Sequence, residues 1–139
     1  MADDVLLNKL ATIERCVKRA REERAAAGTG FAADFTRQDA AVLNVQRACE
    51  AALDIGQHLI RTRRLGLPQS ARDVFGLLER SGLIDAERSA SLQAMVGFRN
   101  VAVHDYRELL LPIVEVVIER HLDEVLDFAR RALQLPPAT

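Results

Sequence analysis

The chain has 139 residues, 49% of them apolar, which suits one domain with a buried core and excludes a disordered chain. A formal net charge of −1 excludes a global basic field for nucleic acid, so any such contact is confined to a local patch or cleft. No apolar run of about 18 residues points to a membrane span, and the acidic opening "MADDVLLNKL" is unlike a secretory leader, so a cytoplasmic protein is expected.

The first predicted helix runs from Asp4 to about Ala27, where Leu6, Leu10, Ile13, Val17 and Ala20 recur every three or four positions. "GTG" at 28–30 interrupts it. That tripeptide lacks the lysine and the preceding strand of a phosphate loop. Asp34 or Thr36 caps a second helix reaching about Leu65, with Val42, Val45, Cys49, Ala52, Leu59 and Ile60 as core positions. The two cysteines, Cys16 and Cys49, read as small buried hydrophobes. At the end of this helix, "RTRR" brings Arg61, Arg63 and Arg64 together. Such a cluster either complements the helix dipole or offers a patch for an RNA backbone. "LGLPQS" then breaks the chain, and Ser70 with Asp73 starts a short third helix that Gly82 ends. Asp85 caps a fourth helix expected to reach about Glu108. Pro112 opens a fifth that runs to Leu135, where "PP" stops it and leaves 136–139 as a short tail. No segment alternates as a strand does. The expected architecture is an all-α bundle of four to five helices in a single domain spanning 1–139. His58 and His121 sit in separate helices without ligand spacing and read as packing or surface residues. There is no zinc-type cluster, and neither metal nor cofactor is expected.

The fourth helix carries the informative departure. Leu92, Val96, Arg99, Val103, Tyr106 and Leu110 are spaced as a seam that packs along another helix, yet two of the six are Arg99 and Tyr106. Asn100 and His104, four apart, flank the same seam, so all four polar residues are expected in one broad sector. Arg99 needs a partner for its charge. One reading is a structural network, with Arg99 paired to a carboxylate and His104 satisfied in the core. The other is a cleft facing a second copy of the chain. There, Arg99 holds a phosphate and His104 exchanges a proton near neutral pH.

"RNVAVHDY" has the pattern Arg-x4-His-x-Tyr with Asn beside the Arg, and it resembles the HEPN superfamily motif, in its tyrosine-bearing HepT toxin branch. "RQDAAVLNVQRACEAALDIGQHLI", "SARDVFGLLERSGLID" and "LQAMVGFRNVAVHDY" resemble the second, third and signature helices of that branch, so the resemblance runs from about Leu6 to Leu133. It implies an α-helical homodimer with a metal-independent ribonuclease site where two motif copies meet. It implies Arg99 and His104 as the catalytic pair and Asn100 as their polar neighbour. Tyr106 would be the residue that a cognate nucleotidyltransferase (MNT-type) antitoxin modifies with AMP. A non-catalytic RNA- or nucleotide-binding dimer, or a structural dimer in which the polar seam only sets register, remains open at this point.

Overall fold

Two long helices, α1 (Asp4–Ala27) and α2 (Phe35–Arg63), carry the rest of the molecule in the computed structural model, which describes residues 3–138. Residues 1, 2 and 139 of the expected domain lie outside the described residues. A 3-10 turn at Gly28–Ala33 reverses the chain between α1 and α2, and the pairs Lys9–Asp54 (2.9 Å) and Arg37–Glu23 (2.8 Å) fix them antiparallel. The remaining elements are α3 (Ala71–Arg80), α4 (Ala86–His104), a 3-10 turn at Tyr106–Glu108, α5 (Leu111–Val116), a π turn at Val117–His121, and α6 (Leu122–Gln134). No described residue lies in a strand, so the chain is an all-α bundle. No described helix is long and apolar enough to cross a membrane.

The boundaries follow from caps written into the sequence. Asp34, Ser70 and Asp85 accept hydrogen bonds from the backbone N–H groups of Arg37, Asp73 and Arg88, and Asp3 does the same for α1. One continuous core joins the helices. Ile13, Val17 and Ala20 of α1 bury against α2, and Phe75 of α3 meets Phe128 of α6 edge to face at 5.4 Å. The six core positions expected on the second helix are all buried. So are both cysteines, which are free thiols.

Two boundaries depart from expectation. The fourth helix ends at His104 rather than near Glu108, because Asp105 leaves helical geometry (φ −137°, ψ 49°) and closes the last turn with its N–H on the Val101 carbonyl. The expected fifth helix is α5 and α6 joined through the π turn, beginning at Leu111 with Pro112 in its first turn and ending at Gln134. The π turn has a physical partner. Arg21 of α1 donates through Nε to the Ile118 carbonyl at 3.4 Å and pairs with Asp123 at 2.9 Å. Arg24, one turn on, pairs with Glu115 at 3.1 Å.

Gly56 sits in the middle of α2 because α3 comes too close for anything larger. A Cβ there would stand 2.5 Å from Val74 Cγ1. Val74 is buried and β-branched, so it has little freedom to yield. Overpacking costs about 1–3 kcal/mol, against at most about 1 kcal/mol regained in helix propensity. Gly56→Ala is therefore expected to lower the midpoint of chemical denaturation; a raised midpoint would show that the α2–α3 contact is looser than this geometry.

Candidate functional site

The predicted seam holds through Leu92 and Val96, both buried, and Arg99, which is half-buried against α2. Beyond Arg99 it opens. Val103 is exposed, and Tyr106 and Leu110 lie past the end of α4. The single broad sector expected for the four polar residues is thus not observed. Arg99 and His104 are five positions apart, about 140° around the helix. Arg99 turns toward α2, whereas His104 is exposed in the last turn of α4. No hydrogen bond or ion pair among the described residues joins Arg99, Asn100, His104 and Tyr106 to one another. Within one chain these residues border a cleft and do not close a site.

Arg99 has a specific environment. Burial pushes the Cys49 thiol on α2 up to about 12, and the Arg99 guanidinium opposes that shift, which places the charge beside the α2 surface. The Arg99 Nε is buried and has no hydrogen-bond partner among the described residues. No described residue supplies the carboxylate that a structural network would require. Asn100 and His104 continue a line that begins at Gln93 and Gly97, spaced four, three and four. Gly97 leaves room there for a cation. A Cβ at Gly97 would lie 2.6 Å from Arg72 Nη2, so the guanidinium of Arg72, from the first turn of α3, rests on the α4 backbone beside that line. Sequence reasoning missed Arg72, because nothing in its own helix marks it; only the glycine within the motif hints at a close neighbour.

Tyr106 is in the 3-10 turn, 44% exposed, and its hydroxyl donates to the carboxylate of Asp39 on α2. Desolvation and then the Asp39 bond and charge hold the phenol at about 12. Sequence reasoning missed Asp39 as well, since its partner lies 67 positions away. The arginine run is elsewhere. Arg61 and Arg64 are exposed at the C-terminal end of α2, and Arg63 donates to the Pro136 carbonyl. Arg61 is twelve residues from Cys49, about 18 Å along α2, so the fold does not bring this run to Arg99. His58 pairs with Asp3 at 2.6 Å and His121 with Glu124 at 3.1 Å, both at a remove from the motif.

Beside α4 lies an apolar groove of about 810 Å³, lined by Met95, Phe98 and Val101 on one side and Leu110, Ile113 and Val116 on the other. Leu110, Ile113 and Val116 are all exposed.

A family profile described as ribonuclease HepT-like matches residues 12–132. An mRNA nuclease HepT from Shewanella oneidensis is 48% identical over 126 residues, covering 91% of this chain and 94% of that protein. A solved toxin–antitoxin complex with AMP-PNP matches at a TM-score of 0.88 and 45% identity, covering 94% of this chain and 98% of that one. The tri-AMPylated Shewanella oneidensis HEPN toxin, in complex with MNT antitoxin, matches at a TM-score of 0.87 and 46% identity, covering 93% and 96%.

The chain has one tyrosine and no tryptophan, so Tyr106 can be titrated by its own ultraviolet absorbance. The midpoint is expected at about 12. In Asp39→Asn it is expected to fall toward the ordinary value of about 10, since the carboxylate disfavours tyrosinate. Because the folded phenol is held above its unfolded value, this group supports the fold below about pH 10 and ceases to do so as pH rises toward 12. An unshifted wild-type titration would contradict the Tyr106–Asp39 bond.

Proposed function

The chain belongs to the HepT-like ribonuclease family, and from that membership we propose that it acts as a single-domain, cytoplasmic endoribonuclease toxin, paired with a nucleotidyltransferase antitoxin that adds AMP to Tyr106. The observation that carries the catalytic reading is the half-buried Arg99 whose Nε has no partner among the described residues. A charge placed so needs a counter-ion, and the phosphodiester of an RNA supplies one with a geometry that a guanidinium matches in two hydrogen bonds.

The chemistry asks little more of the protein. RNA brings its own nucleophile, the 2′-hydroxyl. One group removes its proton, another protonates the departing 5′-oxygen, and a cation stabilises the charge on the phosphorane, so no metal is required. Arg99 takes the last role and His104 one of the first two, with Asn100 orienting the phosphate beside it. Arg99 and His104 diverge by about 140° within one chain, so the reading needs a second chain whose motif faces this one. The apolar groove, with the exposed Leu110, Ile113 and Val116 in its lining, offers the surface on which a homodimer would close. Arg72, at the edge of the Asn100–His104 line, adds a cation for the same strand. Arg61 and Arg64 stand farther off, available to RNA outside the cleft. A non-catalytic RNA-binding dimer would use the same Arg99 and is separated from the enzyme by cleavage alone.

Arg99→Ala and His104→Ala are each expected to lower RNA cleavage by about 100-fold or more, while helical circular dichroism is retained and the wild type keeps cutting in EDTA. Full activity in either variant would remove the catalytic assignment, and loss of activity in EDTA would remove the metal-free route.

Light scattering is expected to give twice the chain mass at micromolar concentration, and Ile113→Arg, at an exposed position, to shift it to monomer with loss of cleavage. An active Ile113→Arg monomer would rule out a composite site.

A further inference from the structure

Asp39 performs no task that α2 needs. It is exposed, lies past the first turn and is not the cap, a role that belongs to Asp34. What its carboxylate does is accept the Tyr106 hydroxyl from a turn that buries no side chain of its own. A phenol on such a turn would ordinarily point into water and rotate freely. Here one acceptor fixes it, and the acceptor is a carboxylate. Transfers from a hydroxyl to phosphorus use that arrangement elsewhere, where an aspartate takes the hydroxyl proton as the bond to phosphorus forms.

We propose that Asp39 is a catalytic residue of the modification reaction, aiming the Tyr106 oxygen and receiving its proton as that oxygen attacks a nucleoside triphosphate. The proposal rests on the reading of Tyr106 as the AMP acceptor. The step balances as follows: a bond forms between the phenolic oxygen and the α-phosphorus, the bond from that phosphorus to the bridging oxygen of the β-phosphate breaks, and pyrophosphate leaves. The phenolic proton passes to the Asp39 carboxylate and from there to water. The partner nucleotidyltransferase binds the triphosphate, and this chain supplies both the nucleophile and its base.

Two further facts support a base at this position. The phenol is held at about 12, so preformed tyrosinate is scarce near neutral pH and the proton must leave during the attack. The same carboxylate that raises the barrier to free ionisation is within hydrogen-bonding reach to relieve it. After transfer the oxygen has no proton to donate, and the new phosphodiester carries negative charge beside Asp39. The bond to α2 cannot re-form, so the turn is released from α2 by modification, and the departure of pyrophosphate drives the reaction against that loss.

The test uses the whole chain, the purified partner nucleotidyltransferase and ATP, with AMP incorporation followed by intact mass between about pH 6 and 10. Asp39→Asn is expected to lower kcat for modification by about 100-fold and to leave KM for this chain within about threefold. The wild-type rate is expected to be flat from about pH 7 to 9. The Asp39→Asn rate should instead climb about tenfold per pH unit toward 10, as tyrosinate replaces the lost base. Asp39→Glu, which restores a carboxylate one methylene longer, is expected to recover part of kcat and the flat profile. A wild-type kcat in Asp39→Asn, a loss confined to KM, or a flat profile in Asp39→Asn would each overturn the proposal. If Asp39→Asn fails to fold by circular dichroism, Asp39→Glu decides alone: a reduced kcat with a flat profile supports the proposal, and an unchanged kcat overturns it. Wild-type protein that gains no AMP at Tyr106 would instead overturn the underlying reading of the acceptor, an outcome visible in the wild-type arm by itself.

Discussion

The guanidinium of Arg99 is brought against α2 with its Nε buried and without a hydrogen-bond partner among the described residues. That is the constraint around which the rest is arranged. A buried donor left without an acceptor costs about 1–3 kcal/mol, so a fold does not normally leave such an atom alone. The surrounding packing tolerates it because the helices are otherwise secured: caps at each of the first four, a continuous core, and the Arg21 and Arg24 pairs that tie α1 to the last helical rod. Stability supplied elsewhere lets that unpartnered Nε persist, at the position proposed to meet a substrate phosphate.

The end of α4 then divides the motif. Arg99, Asn100 and His104 remain on a rigid helix, whereas Tyr106 is set on a turn that rests on α2 through Asp39. Had α4 continued to Glu108, Tyr106 would have stood on the same rod as Arg99. Instead, the residues proposed to cut RNA and the residue proposed to receive AMP belong to different structural units. Each is positioned by α2, near Cys49 in one case and through Asp39 in the other.

Much of this was legible in the sequence, for local reasons. Asp34, Ser70 and Asp85 announce helix starts because each needs only the three residues that follow. The core of α2 follows from its period. The motif marks Arg99, Asn100, His104 and Tyr106 by type and order. What could not be read depends on distance in sequence or on a single backbone angle. Asp105 breaks the α4 pattern while the apolar period runs on through Leu110, so periodicity alone overextends the helix. Asp39 and Arg72 gain their roles from neighbours on other helices. Arg61 and Arg64 looked relevant as a cluster, yet the antiparallel run of α2 carries them away from Arg99.

The π turn at Val117–His121 has a consequence for how the molecule tolerates length changes. It accommodates one residue more than an α turn, and the buried positions Val114, Ile118 and Leu122 step by four twice before returning to the three-four rhythm of Val125, Ala129 and Ala132. The rod from 111 to 134 is therefore written in two reading frames. A one-residue deletion within the turn would restore a single frame with both faces still on the core, whereas regular α geometry with the extra residue retained would rotate α5 by about 100° relative to α6. That rotation would swing Ile113 and Val116 away from the groove they now line. The shape of that surface thus depends on the turn keeping its wider geometry for as long as the extra residue is present.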